Sequence, residues 1–316
     1  MAVPDRILTN SDLEKIVDTS DEWIVSRTGI RERRVLADNL ACSDLAAQAG
    51  RSALIGANLD PFDLELIITA TVTADYPTPS TACIVQEKLA AKRAAAFDLS
   101  AGCSGFIYAM AAADSFIRSG AFNNALVIGA ETLTRVTDWQ DRSTCVLFGD
   151  AAGAAVLEKG KGAGSIIDYS LHSDGRGVEL LYIPAGGSVK PADHDSVDKR
   201  LHTIRMKGND VFKFAVRAVE EVLDQLMERN GLKADDLDHL FLHQANFRII
   251  EHIRKRLQLP VEKVPVNIDR YGNTSSATVP VAIHEEASAG RLKKGDLAAV
   301  VAFGSGLTWG GMLIRW

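Results

Sequence analysis

Apolar and polar positions follow two rhythms along this chain. Continuous runs rich in Val, Ile, Leu and Ala at 66–73, 125–130, 151–157, 240–243 and 297–303 show no polar face, and predict strands buried on both sides. Between and around them, apolar residues recur at spacings of three and four over 44–55, 80–90, 104–119, 211–230, 247–257 and 278–289. These segments predict helices with one face on a core. Strands interleaved with helices in this way predict an α/β protein whose mixed, mostly parallel sheets are covered by helices on both faces.

The pattern also repeats. DLELIITA at 63–70 resembles DLDHLFLH at 236–243, an offset of 173, and Ser119-Gly120 ahead of ALVIGA resembles Ala289-Gly290 ahead of AAVVAFG, an offset of 170. At that second shift Gly102-Cys103-Ser104 falls on Gly272-Asn273-Thr274, each before a helical pattern. The expectation is one fold built twice, with halves at 1–165 and 166–316. Its two equivalent helix starts would aim unpaired N–H groups and positive dipole ends at a single site. Residues 184–200, PAGGSVKPADHDSVDKR, are the most polar and Gly/Pro-rich stretch and predict a surface excursion.

Composition narrows the function. The chain has 316 residues, 47% of them hydrophobic and 24% charged, which is ordinary for a globular protein and argues against disorder or coiled coil. A net charge of -6 argues against phosphate-backbone binding as its main task, so no nucleic-acid partner is expected. MAVPDRILTN lacks the basic and apolar regions of a signal peptide, and no stretch approaches 18 uninterrupted apolar residues. A cytoplasmic protein without membrane contact is the expectation. The cysteines, Cys42, Cys83, Cys103 and Cys145, are too far apart for a metal knuckle, and no metal is expected.

Cys103 differs from the other three. It follows an apolar run in DLSAGCSGF and opens a helix, where the dipole and nearby N–H donors favour a thiolate and the flanking glycines admit a substrate carbonyl. Cys42, Cys83 and Cys145 read as small buried hydrophobes. His243 ends an apolar strand, where ligands bind in open α/β sheets. Asn273, taken alone, is a helix cap. The turn in AFGSGLTWG suits a backbone N–H offered to an oxyanion, while neither it nor GDAAGA fits a dinucleotide or nucleoside-triphosphate loop. Cys, His and Asn together allow two chemistries. A cysteine hydrolase uses Asn to orient His, whereas a condensing enzyme has His and Asn both donate to a second substrate's carbonyl. The repeat favours the second, because it sets Cys103 and Asn273 on opposed helix starts.

Seven motifs in order carry a family resemblance over almost the whole chain. TSDEWIVSRTGIRERR (19–34), FDLSAGCSGF (97–106), DRSTCVLFGDAAGAAVL (141–157), MKGNDVFKFAV (206–216), HQANFRII (243–250), YGNTSSATVP (271–280) and AFGSGLTWG (302–310) resemble those of the β-ketoacyl-acyl-carrier-protein synthase III family. The resemblance implies a duplicated thiolase-like fold with α/β/α/β/α layers, normally a homodimer. Its implied activity is condensation of an acyl-CoA primer with malonyl-acyl-carrier protein through an acyl-cysteine, starting fatty acid synthesis, with no cofactor. It implies Cys103 as nucleophile, with His243 and Asn273 completing the catalytic set, and backbone N–H groups of Cys103 and Ser305 as the oxyanion hole. For CoA it implies Thr19, Trp23, Arg27, Arg142, Asn209 and Asn246. For the acyl carrier protein it implies Lys213, Arg248, Lys255 and Arg256, and for the acyl pocket Thr78 and Phe303. A related enzyme of secondary metabolism, a Cys-His-Asn thioester hydrolase and a catalytically silent carrier-binding relative are the alternatives.

The chain departs from that pattern in places. AVPDRILTN begins near the end of the family's opening segment, so its first strand is expected to be missing from the sheet edge. Ala151 stands where Gly is usual, and Gly304-Ser305-Gly306 replaces three glycines. Thr78 stands where a large aromatic would confine the pocket, so longer or branched primers are expected to fit.

Overall fold

The structure, a computed structural model, describes residues 1–160 and 164–316. Two four-stranded sheets form its frame. The first runs in the order Ala95–Leu99, Leu66–Ala70, Asn124–Thr132, Asp150–Glu158, and the second in the order His239–Leu242, Leu297–Gly304, Thr308–Arg315, Ser165–Ser173. Both sheets are mixed as expected, but parallel pairing makes up half of the strand neighbours rather than most. Leu297–Gly304 returns as Thr308–Arg315 through a turn too short for a parallel crossover. The unforeseen strands are the polar-studded Ser165–Ser173 and the glycine-bearing Thr308–Arg315, together with Ala95–Leu99. Two glycines in TWGGMLIR remove side chains from the pattern, so only pairing on both edges makes it a strand.

Helices sort into three layers around these sheets. Cys42–Ala57 and Thr81–Leu89 cover the outer face of the first sheet through Leu45, Ala46, Leu54, Val85 and Leu89. The 22-residue helix Gly208–Arg229 covers the second sheet with Phe214, Ala218, Val222 and Leu226, and Phe247–Arg256 packs beside it with Ile249, Ile250 and Ile253. Gly105–Arg118 and Thr278–Ser288 lie between the sheets, where Ile107, Met110, Val279 and Ala282 join Ile68 and Val127 of the first sheet and Val300 and Met312 of the second. Each large aliphatic side chain buried this way stabilises the fold by about 1.5–3 kcal/mol.

The repeat is visible in the backbone. Gly102 and Gly272 share a left-handed φ of 55° and 65°, and Gly120 and Gly290 share 79° and 67°, which are the two glycine pairs at the offset of 170. The first sheet's strands end at Glu158 and the second's begin at Ser165. At the outer edge of Asp150–Glu158, Ala2 exchanges both backbone bonds with Ala152 at 2.8 Å, and Ile7–Thr9 pairs instead with Glu32–Arg34. One bridge, not a full strand, covers that edge among the described residues. Among the same residues no helix is long and apolar enough to cross a membrane.

Candidate active site

Cys103 sits in a single tight turn, Gly102–Ser104, that leads directly into the helix Gly105–Arg118. The Phe303–Ser305 strand end presses against it. A Cβ on Gly304 would collide with the Cys103 backbone nitrogen, and one on Gly102 would lie 2.7 Å from the Ser305 nitrogen, so both glycines are needed for this approach. A cavity of about 310 Å³ opens at Cys103, walled by Leu133, Val136, Phe148, Leu181 and Ile204 and edged by Ser275 and Ser305. Burial pushes the thiol up to about 12, and the nearby Glu131 adds to this while the Ser275 hydroxyl works against it. The expected resting thiolate is therefore not favoured: loss of water around sulfur outweighs the helix start. Cys42 and Cys145 are buried as expected, but Cys83 is exposed and accepts the Ser80 hydroxyl at 3.1 Å.

His243 and Asn273 are oriented separately. His243 is 2% exposed; its Nδ1 lies 2.7 Å from the Thr278 hydroxyl, and its ring meets Phe303 edge-on at 5.2 Å. Burial lowers its pKa to about 3, so the imidazole is neutral. Asn273 does not cap the helix. Its Oδ1 accepts the Ser275 N–H at 2.9 Å, which leaves the amide Nδ2 as a donor, and its backbone bonds Leu147 and Gly149. Asn273 thus has no bond to His243, and the serial Cys-His-Asn order of a hydrolase is not built. Cys103, His243 and Asn273 meet instead around the segment 275–278.

That segment is tied to the other half by a residue the sequence reading missed. Glu131, fully buried at the end of Asn124–Thr132, accepts the Ser275 hydroxyl at 3.1 Å, the Ser276 hydroxyl at 2.9 Å, the Thr73 hydroxyl at 2.7 Å and the Val72 N–H at 3.1 Å. Burial raises its pKa despite these four donors. A charge closing an apolar strand in GAET was its signal, as the hydroxyls of NTSSAT were for Ser275 and Thr278.

The residues implied for the substrate arm divide. The guanidinium groups of Arg27 and Arg142 each lie 4.9 Å from the Trp23 ring centre, so these three form one cluster. Thr19 Oγ1 is buried without a hydrogen-bond partner among the described residues. Asn209 is exposed at the start of its helix. Asn246 has its amide engaged, capping Phe247–Arg256 through Arg248 N–H at 2.8 Å and donating to the Arg27 carbonyl at 3.0 Å. Of the basic residues, Arg256 pairs with Asp224 at 2.6 Å and Lys255 with Glu251 at 3.3 Å, whereas Lys213 is exposed and Arg248 lies over Phe212.

Neither residue implied for the acyl pocket lines the cavity. Phe303 belongs to the apolar cluster under Gly208–Arg229 and faces His243, because alternation along its strand turns it from the cavity; Thr78 is exposed on a loop. The polar stretch 184–200 is likewise more than a surface excursion. It belongs to a flap whose two ends carry Leu181, Tyr182, Ile183 and Ile204 into the cavity wall, and Asp138 holds it through Arg200 at 3.1 Å and Arg205 at 2.9 Å.

Residues 97–175 match the family model described as 3-oxoacyl-[acyl-carrier-protein] synthase III, and residues 227–316 match the model of its C-terminal part. The chain is 55% identical over 314 residues to the β-ketoacyl-[acyl-carrier-protein] synthase III of Caldanaerobacter subterraneus subsp. tengcongensis, covering 99% of this chain and 95% of that protein. Its structure resembles the crystal structure of 3-oxoacyl-[acyl-carrier-protein] synthase III from Aquifex aeolicus VF5, with a TM-score of 0.92 and 50% identity over 100% of this chain and 97% of that one. The priming β-ketosynthase of the R1128 polyketide pathway is also similar, with a TM-score of 0.90 at 34% identity over 98% and 92%.

Proposed function

The chain belongs to the β-ketoacyl-[acyl-carrier-protein] synthase III family, and on that footing we propose how its own residues carry out the condensation of an acyl-CoA primer with malonyl-acyl-carrier protein. The observation that carries this reading is the parallel setting of the two donors. The Thr278 hydroxyl holds His243 Nδ1 and the Ser275 N–H holds Asn273 Oδ1, so each side chain keeps one nitrogen without a hydrogen-bond partner among the described residues.

In the first stage Cys103 sulfur attacks the acyl-CoA carbonyl carbon, and the carbon–sulfur bond to CoA breaks. The thiol proton leaves Cys103 and the departing CoA sulfur gains one, so thiol is exchanged for thiol. Backbone N–H groups of Cys103 and Ser305 hold the oxyanion, for which the close contact of Gly304 with Cys103 supplies the necessary proximity. In the second stage the malonyl carbon–carbon bond breaks, carbon dioxide leaves and its electron pair enters the thioester enolate. His243 Nε2–H and Asn273 Nδ2–H donate to the enolate oxygen, each such donor contributing about 3 kcal/mol in a dry site. The enolate carbon then attacks the acyl carbonyl, and Cys103 departs as thiolate and regains a proton from solvent. No resident cofactor or metal is needed, because decarboxylation drives the bond formation.

The neutral pair of half-buried thiol and buried imidazole also fits this reading better than a hydrolase, which works from a charged Cys–His pair. Trp23, Arg27, Arg142 and Thr19 form the CoA nucleotide site, and Lys213 and Arg248 receive the acidic carrier. The enzyme acts in the cytoplasm as a homodimer, with the exposed Thr78 of each subunit reaching the other's acyl pocket. Incubation with acetyl-, isobutyryl- or octanoyl-CoA should leave the matching acyl mass on the Cys103 peptide. Malonyl-carrier protein should then release carbon dioxide and β-ketoacyl product. An unlabelled Cys103 refutes the mechanism, and labelling by acetyl-CoA alone refutes the roomy pocket.

A further inference from the structure

The Thr278 hydroxyl has one proton and faces two acceptors. His243 Nδ1 lies at 2.7 Å and the Ser275 carbonyl oxygen at 2.9 Å. That carbonyl already receives the Thr278 backbone N–H, so the hydroxyl proton would be its second bond, on the remaining lone pair. His243 Nδ1 has no hydrogen-bond partner other than Thr278 among the described residues, and its ring is sealed by Phe303. No carboxylate or amide oxygen touches Nδ1 to demand a proton there, because Glu131 is spent on Ser275 and Ser276 and the Asn273 oxygen on Ser275 N–H.

We propose that Thr278 gives its hydroxyl proton to His243 Nδ1 and so holds the imidazole in the Nε2–H form, which makes Thr278 the positioning residue of the condensation stage. This rests on the reading above, in which His243 donates to the malonyl thioester oxygen. A histidine activated for proton abstraction has the opposite arrangement. There the Nδ1 partner accepts, Nδ1 keeps the proton and Nε2 is bare. Here Nε2 has nothing with which to take the Cys103 proton, and the first stage proceeds without His243 as a base. The device depends on the hydroxyl rather than on the shape of the side chain. A hydroxyl both donates and accepts, and in a buried site with one free nitrogen its proton goes to the stronger acceptor.

Nitrogen NMR of enzyme labelled with ¹⁵N-histidine reads the tautomer directly. At neutral pH, His243 Nδ1 should show the shift of an unprotonated ring nitrogen and Nε2 that of a protonated one; the reverse assignment overturns the proposal. Kinetics of the separate stages give an independent reading. Thr278→Val, which keeps the shape, should slow malonyl decarboxylation by the acyl-enzyme about 10–100-fold, the scale for a lost partner of a functional histidine. Its loss in Cys103 acylation should be about tenfold smaller than that, and acylation itself reports that the variant is folded. Thr278→Ser should recover decarboxylation to within about threefold. Equal loss in both stages, or no recovery with Ser, rules the proposal out. Should the wild-type enzyme neither acylate nor decarboxylate, the functional reading fails, and the nitrogen shifts alone then decide the tautomer.

Discussion

At Cys103 two local effects oppose each other. The helix start draws negative charge to the sulfur, while the apolar cavity and the buried Glu131 resist it, and the balance leaves a protonated thiol up at about 12. Alkylation by iodoacetamide, followed on the Cys103 peptide so that the exposed Cys83 does not interfere, should therefore accelerate about tenfold per pH unit between pH 7 and 9. A plateau reached below pH 8 would show a thiolate at rest and overturn this balance. The sequence pointed to Cys103 as the nucleophile through its small-residue turn and its repeat partner, and in the structure an apolar cavity opens beside it. The sequence could not show Ser275 beside the sulfur or Glu131 bound to Ser275, since neither contact is local in the chain: Ser275 lies 144 residues from Glu131 and farther still from Cys103.

Among the elements, the two helices on the second sheet show how pairing reshapes a charge pattern. HQANFRIIEHIRKR and DVFKFAV read as a basic entrance, but Gly208–Arg229 and Phe247–Arg256 pack side by side in the same direction, which brings Asp224 and Glu220 to Arg256, and Glu251 lies one turn from Lys255. Exposed pairs of this kind contribute little stability, yet they cancel the field that a carrier protein would sense. Lys213→Glu and Arg248→Glu should each raise KM for malonyl-carrier protein about tenfold at low ionic strength, and Lys255→Glu by far less. Added salt should narrow the gap, whereas equal effects of all three variants would contradict this division. The helices themselves were read to within a few residues, because an apolar face at spacings of three and four survives any tertiary context. The flap around 184–200 was not, since its polar majority faces solvent and only its ends enter the cavity.

Over the whole molecule, the five layers bury His243 between the second sheet and the middle helices, and this has a cost in acid. Its pKa is about 3 when folded against 6.5 when unfolded, so below pH 6.5 the unfolded chain takes up a proton that the native protein refuses. Stability is intact above pH 6.5 and falls as pH drops toward 3, by about 1.4 kcal/mol per pH unit from this one group. Urea unfolding at pH 7 and pH 5 should show the wild type losing about 2 kcal/mol more than His243→Asn, where nothing titrates. Parallel losses in the two proteins would mean that His243 is hydrated and free to charge.

The sequence by itself determined the alternation of strands and helices and the duplicated fold, and it singled out Cys103, His243 and Asn273 as candidates. Each of these depends on local periodicity, on a repeat offset or on a contiguous motif. Tertiary structure alone decided how those residues act. The contacts that set their hydrogen bonds and charges join strand ends and helix starts far apart in the chain, as Glu131 joins Ser275 and Thr278 joins His243. It likewise decided that half the strand pairings are antiparallel, that Phe303 serves the histidine rather than the cavity, and that Lys255 and Arg256 spend their charge at home. A side chain's type is written in the sequence, but its proton, partner and solvent are set by what the fold packs against it.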